Sequence, residues 1–253
     1  MSNMDTTRPN ISRVYDYMLG GHHNFEVDRV AAQHILKIFP SYPIWARLNR
    51  WFLQMVGSQW AEAGFKHIID LGSGMPTQDH FHTVVSQARV LYTDNDPIAV
   101  TYGREVIGDD PRVLYIEHDV SDIPPILAQA DRHFGGERHV AIGCIGVGYF
   151  FDDQTFTKMM PDFYTWAAPD SILAMSFVSS TMTEEQISRL ASPFKNMNIQ
   201  GYMRTTEQIA TLSSPWRMTE AHALSDWLGV EKEIPPDDEF SQAMEMHGAL
   251  FVR

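Results

Sequence analysis

The chain has 253 residues, 44% of them apolar, and its 32 acidic residues outnumber 19 basic ones to give a formal net charge of −13. Such a surface repels phosphate backbones, which argues against a nucleic acid as the main partner. Cys144 is the only cysteine, so no internal disulfide can form and a reducing, cytoplasmic location is expected. The size and composition suit a single α/β domain.

The sequence shows neither a membrane-spanning segment nor an export signal. Met1–Asp5 lacks the basic and apolar regions of a secretory signal peptide. The longest apolar run, Val140–Phe151, has twelve residues and contains three glycines. It is too short to cross a bilayer and is typical of a buried strand that leads into a loop. We therefore expect no membrane partner.

Helical patterns dominate the beginning of the chain. Ser12 is a candidate cap for a short helix that ends at Leu19. Further helices are predicted over Glu26–Ile38 and from Pro43 to Gly64, where apolar residues recur at helical spacing. We expect residues 1–64 to form a helical lid over the rest of the chain.

From Lys66 onward, strand patterns alternate with helical ones. The predicted strands are His67–Leu71, Arg89–Thr93, Arg112–Glu117, His139–Cys144 and Ser171–Val178. One predicted helix follows the first strand and ends at about Gln87. The others cover Pro97–Ile107, Ile126–His133 and Gln154–Trp166. This alternation predicts a doubly wound, mostly parallel α/β sheet, because right-handed crossovers place helices on both of its faces.

The last quarter of the chain continues the alternation. The segments Thr183–Gln186 and Thr205–Gln208 each fit a capping box, with Thr at the N-cap and Gln three residues later. Trp216–Leu224 and Met246–Val252 are predicted to close the sheet as an antiparallel pair, which brings it to seven strands. We expect residues 65–253 to form this Rossmann-like core, packed with the lid as one unit.

A glycine turn, Gly72-Ser73-Gly74, directly follows the first predicted strand. Its glycines allow a ligand to approach the backbone closely, and the helix expected next would direct free N–H groups to the same place. A dinucleotide fingerprint would need a third glycine where Thr77 stands. Asp70, just before the turn, instead suits a ligand with a cationic amine, such as S-adenosylmethionine. A plain turn between strand and helix is the alternative.

Acidic residues follow the next two predicted strands. Asp94 lies about twenty residues after the glycine turn, where an acid can accept hydrogen bonds from both ribose hydroxyls. Asp96 precedes Pro97 and is interpreted as the N-cap of the next helix. Asp119 stands where an adenine amino group could donate, although it could equally cap a helix. Three such features at successive strand ends share the edge where open α/β sheets bind ligands.

Over nearly its whole length the sequence resembles the actinobacterial-type S-adenosylmethionine methyltransferases long classified as a domain of unknown function. The matching segments are Asp5–Pro9, Arg13–Phe25, Gly72–Thr77, Tyr92–Pro97, Arg204–Ile209 and Trp227. The resemblance implies a class I methyltransferase fold with S-adenosylmethionine as donor, S-adenosylhomocysteine as product and an unassigned acceptor. The family usually has Lys-Asp at His22-His23 and Leu-His-Phe at Gly148–Phe150, and these departures leave room for a different acceptor.

We assign donor binding to the glycine turn, to side chains at the strand ends and to two residues of the N-terminal segment. These residues are Tyr15, Gly21, Asp70, Gly72, Ser73, Gly74, Asp94, Asn95, Asp119 and Val120. We expect in-line methyl transfer to a small molecule, with positioning supplying most of the acceleration. A general base is needed only if the acceptor loses a proton, and the candidates are His22, His23, Tyr17 and Tyr149, each of which could instead serve packing or a loop.

The eleven histidines show no ligand spacing, so no metal is expected. Two other functions are kept open. One is a non-catalytic protein that binds S-adenosylmethionine, and the other is a nucleotide-dependent oxidoreductase. Thr77 and Asp70 disfavour the oxidoreductase, because the first replaces a required glycine and the second would stand close to a pyrophosphate. A homodimer is also kept open.

Overall fold

The computed structural model describes residues 7–75, 79–197 and 199–253. Its chain begins with α1 (Ile11–Met18), α2 (Glu26–Ile38) and α3 (Tyr42–Glu62). The bounds predicted for α2 are confirmed to the residue. The cap predicted at Ser12 is wrong: Asn10 is the N-cap, and its side chain accepts hydrogen bonds from the backbone N–H groups of Ser12 and Arg13.

A seven-stranded sheet forms the centre of the described chain. Its strands are β1 (His67–Leu71), β2 (Arg89–Asp94), β3 (Val113–Glu117), β4 (Ala141–Cys144), β5 (Ile172–Ser180), β6 (Arg217–Ala223) and β7 (Met244–Val252). They are ordered β3-β2-β1-β4-β5-β7-β6, with β1 to β5 parallel and β7 antiparallel to both β5 and β6. The predicted fold class and the closing antiparallel pair are confirmed. Because the order reverses between β1 and β4, a crevice opens there at the carboxyl ends.

Helices cover both faces of the sheet. They are α4 (Phe81–Val84), α5 (Pro97–Ile107), α6 (Ile123–His133), α7 (Asp153–Trp166), α8 (Glu184–Ala191), α9 (Thr206–Leu212), α10 (Leu224–Leu228) and α11 (Glu239–Ala243). Both predicted capping boxes are confirmed at α8 and α9. In each, the Thr side chain accepts from the backbone N–H of the Gln, and the Gln side chain accepts from the backbone N–H of the Thr. The helix expected after the glycine turn is wrong in extent, because α4 has only four residues. Its dipole toward the turn is correspondingly small; residues 76–78 lie outside the described part.

Helix α3 is built into the core rather than laid over it. Phe52, Val56 and Trp60 are almost fully buried against the sheet, and Trp60 stacks on Phe81 of α4 with ring centroids 4.8 Å apart. Helices α1 and α2 form a smaller apolar cluster that also includes Ala46 of α3. The boundary between lid and core at residue 64 stays a prediction.

Candidate active site

A cavity of about 390 Å³ opens at the carboxyl edge of the sheet, and we call it the main cavity. Its floor is formed by the segments that follow β1, β2, β3 and β4, and α1 and α3 cover it from the other side. Of the residues proposed for the site, those that line it are Tyr15, Gly72, Ser73, Gly74, Asp94, Asn95, Asp119, Val120 and Tyr149. Segments far apart in sequence therefore meet at one crevice.

The glycine turn faces the cavity with its backbone. Gly72 and Gly74 have φ angles of 60° and 65°, which residues other than glycine rarely adopt. A Cβ at Gly72 would stand 2.5 Å from Cγ2 of Val147, whereas a Cβ at Gly74 would meet no atom of the described residues within 4 Å. The backbone of Gly74 thus has free space beside it, in a cavity wall where a ligand can approach.

The Asp94 carboxylate is fixed on both of its oxygens. One oxygen accepts a hydrogen bond from the N–H of Gly74 at 2.8 Å, and the other accepts one from the N–H of Asp96 at 2.8 Å. Asp96 in turn accepts from the N–H of Ile98, so its predicted role as the N-cap of α5 is confirmed. Burial raises the pKa of Asp94 to about 6 despite these bonds, which leaves it mostly ionised at neutral pH.

The segments after β2 and β3 form the far end of the cavity. Asn95, Asp119 and Val120 line it together with Ser121. Although partial burial opposes ionisation of Asp119, hydrogen bonds from Ser121 and Asn95 hold its pKa below the usual value. Asp119 therefore offers a charged acceptor at this end.

Asp70 lies close enough to Arg50 of α3 for the two charges to influence each other. Arg50, from α3, lines the cavity and is mostly buried, whereas Asp70 is buried beneath the glycine turn and does not line it. Burial raises the pKa of Asp70 to about 7, and the nearby Ser73 hydroxyl and Arg50 charge oppose that rise. Arg50, which the sequence analysis did not single out, is therefore the member of the two that a ligand in the cavity would contact.

We expect Asp70→Asn to stabilise the ligand-free protein more at pH 8 than at pH 5. Since the pKa of Asp70 is about 7 when folded and 3.8 as a model value, the folded protein holds this proton more tightly. Ionisation of Asp70 therefore costs stability as the pH rises between these values, and asparagine avoids that cost. The measurement is the melting-temperature difference between variant and parent along a pH series.

Burial lowers the pKa of histidines such as His80, which therefore change stability with pH in the opposite direction to Asp70. Because variant and parent share these histidines, their contribution cancels in the melting-temperature difference. A melting-temperature difference that shrinks toward pH 8 would contradict the raised pKa of Asp70.

A buried polar chain joins α3 to the sheet beside the cavity. The Gly146 N–H donates to the Ser176 hydroxyl at 2.8 Å, and that hydroxyl donates to the Asn49 side-chain oxygen at 2.7 Å. The Asn49 amide then donates to the Tyr149 hydroxyl at 3.3 Å. This chain fixes the Tyr149 ring in the cavity wall. Burial raises its pKa well above the usual value, so Tyr149 stays a neutral phenol.

We expect Asn49→Leu to lower the free energy of unfolding by about 2 kcal/mol, because it removes two hydrogen bonds, one to the buried Ser176 hydroxyl and one to the Tyr149 hydroxyl. Urea unfolding of Asn49→Leu, Ser176→Ala and the double variant measures this loss and its coupling. The double variant should lose less than the sum of the two single losses, since both remove the same hydrogen bond. Strictly additive losses would show that the two side chains do not depend on each other.

Besides Asp70, four residues proposed for the site lie outside the cavity lining: Tyr17, Gly21, His22 and His23. His22 is exposed, and Tyr17 packs beside the cluster formed by α1 and α2. Gly21 is needed for the loop itself, because a Cβ there would stand 2.0 Å from the Asp16 carboxylate. That carboxylate binds the N–H of His23 and the side chain of Asn24, which anchors the turn between α1 and α2.

Comparison with known families gives a match over almost the entire chain. A family model described as S-adenosyl methyltransferase matches residues 1–248. The chain belongs to this S-adenosyl methyltransferase family. The resemblance read from the sequence is therefore confirmed, and so is S-adenosylmethionine as the methyl donor.

Solved structures agree with this family assignment. A candidate methyltransferase from Thermobifida fusca YX has 29% identity and a TM-score of 0.85, over 100% of this chain and 97% of that one. A DUF574 family protein from Streptomyces avermitilis MA-4680 has 24% identity and a TM-score of 0.83, over 98% and 99% of the chains. The cyclopropane synthase MmaA2 from Mycobacterium tuberculosis shares the fold, at 12% identity and a TM-score of 0.57 over 79% and 84%. A search among curated proteins found no match.

The main cavity fits the donor of this methyltransferase family. S-adenosylmethionine joins a nucleoside to an amino acid, and the cavity wall combines fixed carboxylates, the guanidinium of Arg50 and the open backbone of Gly74. The cavity volume of about 390 Å³ lies in the range of small-molecule sites. The residues present therefore suit both ends of the donor.

Sequence reasoning missed the contributions of α3 and of the segment 199–204. Asn49 and Arg50 line the cavity from α3, and Tyr202 lines it from that segment. One signal was available, because Asn49 falls on the same helical face as the buried Trp45 and Phe52. A polar residue on an apolar stripe indicates a buried hydrogen-bond network. No comparable pattern marks Tyr202.

No helix within residues 7–75, 79–197 and 199–253 is long and apolar enough to span a membrane. In the same ranges, no three His, Cys, Asp or Glu side chains group closely enough to hold a metal ion.

Proposed function

We propose that this protein is an S-adenosylmethionine-dependent methyltransferase that methylates a small molecule. The observation that carries the proposal is the pairing of Asp94 with the Gly74 N–H in the wall of the main cavity. This pairing fixes a carboxylate and an open backbone turn in one unit before any ligand binds. Family membership supplies the reaction class, and the cavity volume of about 390 Å³ supports an acceptor of limited size.

We assign parts of the donor to separate stretches of the cavity wall. Asp94 accepts hydrogen bonds from the ribose hydroxyls, and Asn95, Asp119 and Val120 hold the adenine end. The glycine turn and Arg50 bind the amino-acid end, where the guanidinium pairs with the donor carboxylate. The bound donor supplies a sulfonium methyl group. The chain itself has to orient that group and exclude water from it.

Of the residues proposed from the sequence as general bases, only Tyr149 lies in the cavity wall. Its pKa is raised by burial, so it serves as a neutral hydrogen-bonding wall rather than as a base. His22 and Tyr17 have no place in this mechanism. Tyr15 lies beside the cavity and donates its hydroxyl proton to the carbonyl of Ala46, which likewise makes it a wall residue.

Calorimetry with S-adenosylmethionine, S-adenosylhomocysteine and NAD tests the proposal. We expect both sulfur ligands to bind and NAD to leave no heat signal, whereas NAD binding alone would favour an oxidoreductase. Release of S-adenosylhomocysteine in the presence of acceptors separates an enzyme from a non-catalytic binding protein. The cytoplasmic location and the homodimer stay predictions.

A further inference from the structure

A second, smaller cavity of about 140 Å³ adjoins the main one, and we call it the side chamber. The residues that line both cavities, which we call the shared wall, include Tyr15, Tyr42, Asn49, Tyr149 and Tyr202. A molecule in the side chamber would therefore lie next to a donor in the main cavity. Its volume is close to the roughly 150 Å³ cavity that holds a benzene molecule.

Helix α8 and the turn after it form the outer wall of the side chamber. Ile187, Leu190, Ala191 and Phe194 repeat at helical spacing, and all four line the chamber. No residue of α8 is buried, and Ile187 remains 42% exposed. An amphipathic helix normally buries such a stripe against packed side chains. Here the stripe faces a cavity that an apolar ligand would fill.

The lining of the side chamber carries no ionised group. Among the described residues that form it there is no Asp, Glu, Lys, Arg or His. Among the side chains described there, the polar groups are the Asn49 amide, the tyrosine hydroxyls and the indole N–H of Trp45, which donates to Ser241. Burial raises the pKa of Tyr15 to about 12 and that of Tyr42 further still, so these phenols stay neutral. A charged acceptor would lose its hydration in this chamber without gaining a partner.

We propose that the side chamber binds the methyl acceptor, and that this acceptor is an uncharged molecule with a ring-sized apolar body and a neutral ring nitrogen. The proposal rests on the proposed methyltransferase function. Charge and size follow from the lining and the volume. The nitrogen follows from the absence of a base in the shared wall, because a hydroxyl or thiol acceptor has to lose a proton for the transfer.

The transfer to such a nitrogen balances without a base. The nitrogen lone pair forms the new N–CH₃ bond, and the electron pair of the broken S–CH₃ bond stays on sulfur, which becomes a neutral thioether. The positive charge passes from sulfur to nitrogen, and no proton is released when the nitrogen belongs to an aromatic ring of the pyridine type. The tyrosine rings that line both cavities can stabilise a cation beside them.

The test uses the full chain loaded with S-adenosylhomocysteine and two probes of matched shape, 4-ethylpyridine and 4-ethylbenzoate, near pH 8. Saturation-transfer NMR measures their binding.

Gly201→Phe is the variant that blocks the side chamber, because Gly201 lines only this chamber. Its φ angle is not in the left-handed region, and a Cβ there meets no described atom within 4 Å. Val106→Phe adds the same ring at an exposed position that lines neither cavity.

We expect 4-ethylpyridine to bind at least tenfold more tightly than 4-ethylbenzoate, and Gly201→Phe to weaken it at least tenfold. The affinity for S-adenosylhomocysteine should stay within twofold in both variants. With S-adenosylmethionine, mass spectrometry should detect N-methyl-4-ethylpyridinium, whereas 4-ethylphenol should stay unmethylated.

Other outcomes overturn the proposal in distinguishable ways. Equal binding of the benzoate would overturn the uncharged class. Equal weakening of 4-ethylpyridine by Val106→Phe, or no probe binding while S-adenosylhomocysteine binds, would overturn the side chamber as the acceptor site and leave the proposed function standing. Methylation of the phenol but not of the pyridine would overturn the ring nitrogen. Failure of S-adenosylhomocysteine itself to bind would overturn the proposed function along with the inference.

Discussion

Replacing Asp94 with alanine is expected to lower the affinity for S-adenosylmethionine by at least about a hundredfold, since two hydrogen bonds to a charged group are lost. The carboxylate is already held by the N–H groups of Gly74 and Asp96, so no conformational entropy is lost in orienting it for a ligand. Calorimetry on the parent and variant proteins measures the change.

Asp96→Ala is the matched control for that experiment. Asp96 is a buried carboxylate two residues further on that caps α5 and does not line the main cavity. We expect this variant to lose about 1 kcal/mol of stability and to keep its donor affinity. If Asp96→Ala weakened the donor as much as Asp94→Ala, the carboxylate of Asp94 would act only by holding the loop.

The second large effect is expected from Arg50→Met, which should weaken S-adenosylmethionine binding about ten- to a hundredfold by removing a charge-assisted hydrogen bond. Methionine preserves the apolar stem of a side chain that is mostly buried between α3 and the cavity. Calorimetry with 5′-methylthioadenosine, which lacks the amino-acid end, shows whether the loss concerns that end of the donor. The affinity of Arg50→Met for 5′-methylthioadenosine should differ from that of the parent by less than threefold.

Arg47→Met controls for the change in net charge, because Arg47 is exposed on the same helix and lines neither cavity. We expect it to bind both ligands as the parent does. Equal loss of S-adenosylmethionine and 5′-methylthioadenosine in Arg50→Met would place Arg50 away from the donor carboxylate.

Much of the fold could be predicted because its signals are local. The Asp96-Pro97 start of α5 and the Thr–Gln boxes of α8 and α9 are caps that bond within a few residues. Helix α4 was predicted too long because tertiary packing decides its extent. Phe81 stacks on Trp60 of α3, and the chain then turns at Val85–Ala88 to enter β2.

In the candidate site, too, the residues with local signals could be predicted and those placed by long-range packing could not. The glycine turn, Asp94 and Asp119 stand directly after strands, and the topology of a parallel sheet brings such positions together. Asn49, Arg50 and Tyr202 reach the cavity through packing of α3 and of segment 199–204, contacts that join residues more than a hundred positions apart in some cases. A periodic pattern cannot show which helix lies over which strand end.

The unburied α8 has a consequence for how this lineage can change. Substitutions at Ile187, Leu190 or Ala191 reshape the side chamber yet remove little buried apolar area, because Ile187 is exposed and the other two are only half-buried. The sheet and the donor site then keep their stability while the chamber acquires a new shape. The shape of the chamber can thus change at small energetic cost.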